Sequence, residues 1–199
     1  MTAPMLPVRN PRTGEWDHEI PITSPDDIAS ITTALRAEQA QWIAMGASGR
    51  AACLNRFADA VMAEVGPLGQ ALSIDTGRST FAQFEAIKSV ELIRMWAERA
   101  GPILEELAGA GQSGQVPAVH YQHRLIPYQV VAVISPWNVP LLLAMIDSLA
   151  ALSAAAPFCS SLRRSHHDSL SPCSAHSTPY PNWLRSCALS RAALKPAWR

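Results

Sequence analysis

Trp137 and Asn138 sit at the centre of one short stretch, Ile134-Ser135-Pro136-Trp137-Asn138-Val139-Pro140. An asparagine amide donates hydrogen bonds without taking up a proton, and an exposed indole offers a flat apolar face. On residue type alone, Asn138 also suits a plain turn role, satisfying backbone groups, and Trp137 suits a core position. A second set lies further on. Cys159, His166, His167, Cys173 and His176 are metal-ligand types, and Cys173-x-x-His176 has a spacing compatible with zinc. The set fits no standard finger, and a Ser-, His- and Cys-rich segment produces such spacings by coincidence. A third candidate, Gly109-x-Gly111-x-x-Gly114, matches a phosphate-cradle spacing. No strand is expected before it and no helix after it, so it reads as a flexible link.

The elements that must position Trp137 and Asn138 flank them directly. Val130-Val131-Ala132-Val133-Ile134 is a five-residue apolar run, four of its members β-branched. Such a run predicts a strand buried on both faces of a parallel sheet. Pro136 and Pro140 stop the strand. Leu141 to Ala155 is apolar nearly all round and predicts a buried helix. The turn therefore lies at the carboxyl end of a strand, where open α/β sheets bind ligands.

Upstream, the pattern is mostly helical. Asn10-Pro11-Arg12-Thr13-Gly14-Glu15 predicts a turn between extended pieces near Leu6–Arg9 and Trp16–Ile22. Ser24-Pro25-Asp26-Asp27 has the makings of a capping box, with a helix to about residue 44 and a stop near Gly46. Ser48 is expected to cap a second helix over 49–64, and Gly77 to end a third over 67–75. A fourth helix is expected from Ser79 or Thr80 to about Ala100, ended by Gly101-Pro102. Phe81, Phe84, Ile87, Val90, Ile93 and Ala97 form its expected apolar face. Val119, Tyr121, His123 and Leu125 alternate with polar residues and predict a half-exposed strand.

Charge and composition exclude some classes. Lys+Arg and Asp+Glu both number 16, which gives no global drive toward nucleic acid or membrane. The most apolar stretch, 130–156, is interrupted by Pro136, Asn138, Pro140 and Asp147, a poor membrane span. Met1 to Asn10 has no apolar core, so no secretory leader and no disulfide framework are expected, and the cytoplasm is the expected location. The balance hides an asymmetry. Residues 156–199 carry six basic residues against one acid, so the two parts differ by composition.

Ile134-Ser135-Pro136-Trp137-Asn138-Val139-Pro140 resembles the [ST]-P-W-N-[FV]-P signature of the aldehyde dehydrogenase superfamily. Asn10-Pro11-Arg12-Thr13-Gly14 and Asp75-Thr76-Gly77-Arg78 resemble two further, weaker motifs of that family. The resemblance covers about residues 6–155. It implies an α/β fold: an incomplete N-terminal part of the family's Rossmann-like dinucleotide-binding domain, mostly helical. It implies NAD or NADP as cofactor, an aldehyde as substrate, and homodimers or homotetramers, the strand near 119–125 belonging to an assembly hairpin. It assigns Asn138 to the oxyanion hole, and Ile134, Ser135, Pro136 and Trp137 to the nicotinamide and ribose wall. The family has a glycine before the Val-Val run. Gln129 stands there instead, strained if the backbone needs positive φ.

The resemblance also implies groups that do not occur here. The nucleophilic cysteine in a Gly-Gln-x-Cys context, the base glutamate in a Glu-Leu-Gly-Gly context, and the Lys-Pro-Ser-Glu end of a second parallel strand are absent. Cys53 falls on an apolar helix side and reads as a small buried hydrophobe. Residues 156–199 show no sustained period and contain nine serines, so they read as an aberrant, unstructured tail. Permitted codons from Ser160 to Asp168, read one base out of step, spell Lys-Pro-Ser-Glu-Val-Thr-Pro-Arg. A shift of reading frame from about residue 155 is therefore expected to have removed the second strand. The expected product is a 1–155 partial domain, inactive alone and marginally stable for want of a strand partner. The alternatives are a small zinc protein using Cys159, His166, Cys173 and His176, or a non-catalytic assembly partner of full-length subunits.

Overall fold

The computed structural model describes residues 5–162. The chain opens with a hairpin, β1 (Met5–Arg9) against β2 (Trp16–Pro21). Its turn forms as the residue types require. Asn10 Oδ1 accepts from Arg12 N at 2.9 Å, and Gly14 takes φ 76.

Helix α1 (Pro25–Ala44) begins with the expected capping box, Ser24 and Asp27 exchanging bonds. Of its apolar stripe only Trp42 is fully buried, so the helix meets the rest of the molecule by its last turns. Gly46, at φ 67, breaks the chain and starts α2 (Gly46–Ala63) at once. Ser48 therefore lies inside α2 and is not its cap, contrary to expectation. α3 (Val65–Thr76) ends at Gly77 in the left-handed conformation, as its sequence predicts.

Helix α4 (Ser79–Leu107) is the longest element and lies against α2, α3 and α5. It runs through Gly101 and Pro102 instead of stopping there. A proline removes one helical bond, here to Glu98, whose exposed turn water can satisfy. The buried face of α4 is Ala82, Glu85, Ala86, Ser89, Val90, Ile93 and Ala97. Val90, Ile93 and Ala97 were expected there, but Phe84 and Ile87 turn toward solvent. The small residues Ala82 and Ala86 let α4 approach its neighbours, and that rotation carries Glu85 inside.

A second hairpin pairs β3 (Ala110–Gln112) with β4 (His120–Gln122). The glycine-rich link is thus partly a strand. A Cβ at Gly111 would lie 2.6 Å from Tyr121 Oη, so a larger residue there would push the exposed tyrosine ring aside. The strand expected over 119–125 is shorter and exposed throughout.

The last unit is β5 (Val131–Ser135), α5 (Pro140–Ser153) and β6 (Phe158–Leu162). β5 and β6 are parallel, in register from Val131 opposite Phe158 to Ser135 opposite Leu162. This overturns the expectation of a lone strand: β5 has a hydrogen-bonded neighbour, and ordered structure continues past residue 155. The backbone of 158–162 extends although its residues lack a strand pattern, because β5 supplies the ladder. β5 is buried on one face only. Val133 and Ser135 point inward, whereas Ala132 and Ile134 are exposed. Helix α5 buries Leu141, Ala144, Met145, Ser148 and Leu149, but Ile146 and Asp147 face out, so it is not enclosed all round. Residues 163–199, with the rest of the expected tail, lie outside the described residues.

Left-handed strain falls at a different place from the expected one. Among the described residues Ala155, at φ 63, is the non-glycine residue with positive φ, and Gln129 is not strained in this way. No helix among the described residues is long and apolar enough to cross a membrane.

Candidate functional site

The turn between β5 and α5 is held at three points. The Ser135 hydroxyl donates to the Pro140 carbonyl at 2.9 Å and bridges the turn from inside. Arg78 Nη1 donates to the Asn138 carbonyl at 2.7 Å. Glu85 Oε1 accepts from the backbone N–H groups of Leu141 at 2.7 Å and Leu142 at 3.1 Å. The guanidinium of Arg78 also lies 4.8 Å above the Phe81 ring.

A helix start leaves its first N–H groups without intrahelical partners. Val139, at the cap position of α5, has no side chain that can accept. Glu85 does this work from α4. Burial pushes its carboxyl above the ordinary glutamate range; the two α5 N–H groups and the Arg78 charge pull part of the way back. Those N–H groups are spent. This helix start is therefore not free to bind a phosphate, as many nucleotide-binding helices are.

The far end of α5 is held in the same manner. Trp42 Nε1 donates to the Leu152 carbonyl at 2.8 Å, and Arg50 Nε to the Ser153 carbonyl at 3.1 Å. Gln39 Nε2 donates to the Ala155 carbonyl at 2.9 Å. Burial lowers the Arg50 pKa, yet the group faces the negative end of a helix, which favours its charge.

The expected site residues divide. The Asn138 side-chain amide makes no hydrogen bond among the described residues, although its backbone carbonyl is fixed. A turn asparagine would spend that amide on the backbone, so the bland reading loses its basis. Trp137 is 43 % exposed and Ile134 70 %, so neither is a core residue here. They present open apolar surface beside half-buried Pro136. Ser135 differs: it is 1 % exposed and its hydroxyl is engaged, which makes it a brace of the turn and not a lining residue.

Sequence reasoning missed Glu85 and Arg78. The signal for Glu85 was an acid amid small residues on the α4 face, easily read as solvated. Cys53 is buried and packs with Trp42 and Ala155, as expected of a small hydrophobe. Of the zinc candidates only Cys159 is described; it is half-buried, and burial raises its thiol pKa. No cluster of three or more possible ligands occurs among the described residues.

A strand–helix–strand unit with parallel strands, and a ligand-type turn at the strand's carboxyl end, defines the start of a dinucleotide-binding α/β domain. The model of the aldehyde dehydrogenase family matches residues 2–158, and the chain belongs to that family. The chain is 30 % identical over 151 residues to geranial dehydrogenase of Castellaniella defragrans, covering 74 % of this chain and 31 % of that protein. It is 32 % identical over 136 residues to 2-aminomuconic semialdehyde dehydrogenase of Bos taurus, covering 67 % and 27 %. Among solved structures, succinate-semialdehyde dehydrogenase from Burkholderia pseudomallei superposes with a TM-score of 0.73 at 25 % identity, covering 80 % of this chain and 32 % of that one. An NAD-dependent benzaldehyde dehydrogenase from Corynebacterium glutamicum shares the fold, with a TM-score of 0.73 over 80 % of this chain and 35 % of its own. The chain thus spans about a third or less of these relatives' lengths.

Proposed function

We propose that this chain carries the oxyanion-binding and nicotinamide-facing corner of an NAD(P)+-dependent aldehyde dehydrogenase, which oxidises an aldehyde to a carboxylate. The observation that carries the reading is Asn138, held by its backbone while its amide is left uncommitted at the carboxyl end of β5. In such a reaction a thiolate adds to the aldehyde carbon and the carbonyl oxygen becomes an oxyanion. The Asn138 NH2 would donate to that oxygen. NAD(P)+ would accept the hydride that then leaves. Pro136, Trp137 and Ile134 offer an apolar wall for a nicotinamide ring, while Ser135 keeps the wall in register.

The 199-residue chain does not complete this chemistry by itself. It has no Gly-Gln-x-Cys nucleophile, no Glu-Leu-Gly-Gly base and no Lys-Pro-Ser-Glu segment. The out-of-step reading from Ser160 supports a frame change, from about residue 155 and no later than Ser160, as the reason. Sequencing the DNA through codons 155–170 tests this; codons that cannot spell Lys-Pro-Ser-Glu in the shifted frame overturn it. For activity, the purified chain is incubated with NAD+ or NADP+ and a panel of aldehydes, and reduced nicotinamide is followed by absorbance. No turnover is expected. Sustained turnover overturns the inactivity of the chain and keeps the family chemistry.

The exposed β3–β4 hairpin favours one further role, a non-catalytic partner of full-length subunits. Val119, Tyr121 and Leu125 lie in the open around it. Co-expression with a full-length aldehyde dehydrogenase followed by size-exclusion chromatography tests it. Failure to co-elute overturns it.

A further inference from the structure

We propose that Glu85 is the positioning residue of the Asn138 turn, anchoring the start of α5 so that the turn leaves β5 in one geometry, with Arg78 fixing the same turn from its other side. The inference rests on the reading of Asn138 as the functional amide.

The turn must be fixed at both of its ends. β5 fixes its entry through the parallel ladder to β6. Its exit is the first turn of α5, and nothing local fixes that exit, because Val139 gives no side-chain cap. Glu85 supplies the missing acceptor through one oxygen to two successive N–H groups. The backbone carbonyl of Asn138 lies three residues before Leu141, and Arg78 holds it. Three side chains, Ser135, Arg78 and Glu85, thus bracket a turn of four residues, 136–139.

Glu85 is 1 % exposed and buried among the small residues of the α4 face, so it reaches no ligand and no solvent. A buried carboxylate is retained only where its partners compensate for lost water. Its partners here are the α5 N–H groups and the Arg78 charge. The facing turn of α5, Pro140 to Leu142, brings no titratable side chain. Among the buried residues of α2 and α3 only Arg50 is charged. It engages Ser153 at the other end of α5, about 20 Å away at 1.5 Å per residue. The carboxylate has one structural object to act on, and that object is the turn.

The test is an NMR pH titration of the 199-residue chain between about pH 4 and pH 8, following the Leu141 and Leu142 backbone amides and the Asn138 side-chain amide. All three are expected to shift together, with one midpoint above the ordinary glutamate range. In Glu85→Gln the pH response is lost while the Asn138 position is kept, since the amide oxygen can still accept. In Glu85→Ala the two backbone amides exchange with solvent about tenfold faster or more, and the Asn138 amide signals move or broaden. Arg78→Ala moves the Asn138 signals and raises the Leu141 and Leu142 midpoint, because the Arg78 charge no longer holds the Glu85 carboxyl down. Leu141 and Leu142 amides that ignore pH in the unaltered chain overturn the proposal, even if Glu85→Ala does not fold. So does an Asn138 amide unmoved by both Glu85→Ala and Arg78→Ala. The readout uses no aldehyde or nucleotide, so its failure is separable from failure of the aldehyde reading.

Discussion

Glu85 Oε1 lies 2.7 Å from the backbone nitrogen of Leu141, across 56 residues of sequence. That bond joins the longest helix of the chain to the start of the helix that carries the candidate site. Replacing Glu85 with alanine leaves two buried N–H groups unsatisfied and a small void. The expected loss is about 2–4 kcal/mol in urea unfolding. Glutamine keeps the acceptor, and its expected loss is below about 1 kcal/mol. A Glu85→Ala chain as stable as the parent would refute the capping role.

The same carboxyl makes stability depend on pH in a defined direction. Burial raises its folded pKa above the unfolded value. Its contribution is therefore fully present below the ordinary glutamate range and is lost as pH rises through the folded value. Urea midpoints of the parent should fall across that window relative to Glu85→Gln. Parallel curves for the two chains would sink this expectation.

Trp42→Phe isolates the other end of α5. The aromatic bulk stays, and only the N–H donor to Leu152 is lost. A loss of about 1 kcal/mol is expected from the one hydrogen bond removed, since the Leu152 carbonyl keeps the Ala155 N–H. Denaturant unfolding measures it, and an unchanged midpoint contradicts it.

Much of this scaffold was legible in the sequence, and the reasons are local. The Ser24–Asp27 box, the Gly77 stop and the 130–140 strand, turn and helix each depend on neighbours within a few residues. Asn138 was legible because a motif of adjacent residues marks it. The missed features depend on distant partners. Glu85 bonds across 56 residues, Arg50 across 103 and Trp42 across 110. β6 was missed because Phe158-Cys159-Ser160-Ser161-Leu162 extends only when β5 lies beside it. The stop expected at Gly101-Pro102 failed because one lost helical bond on an exposed turn is tolerable.

Ala155 sets two terms against each other. Its φ of 63 costs about 1–2 kcal/mol for a residue with a Cβ. Its buried methyl returns roughly 0.8 kcal/mol against Trp42 and Cys53. Ala155→Gly is therefore expected to change stability by less than about 1 kcal/mol, whereas Ala155→Val should cost roughly 3 kcal/mol. Thermal melts of the two variants decide it; a glycine variant that unfolds much more easily shows the methyl to be dominant.

Gly111→Ala should push the exposed Tyr121 ring aside, loosen the β3–β4 hairpin and spare the core. A Cβ there would meet Tyr121 Oη at 2.6 Å and Cζ at 2.7 Å. Amides of 110–112 and 120–122 should exchange faster, with the global midpoint moved by less than about 0.5 kcal/mol. Adding Tyr121→Ala should relieve the clash. A large global loss would show the hairpin to be part of the cooperative unit.

Helix α5 does not own its first cap. Its first N–H groups bond to Glu85 of α4, while its last carbonyls take the N–H groups of Ala154, Ala155 and Ala156 as well as side chains of α1 and α2. Fourteen residues are too few to persist alone in water. The order of folding follows. The α1–α4 layer supplies the acceptor for the start of α5 and is expected to assemble before it, and the parallel pair closes after that, at the cost of long loops. In pulse-labelled refolding, amides of β5, α5 and β6 should become protected last. The segment that carries the candidate site is thus the final one to take shape, on a mould cast by α1 to α4.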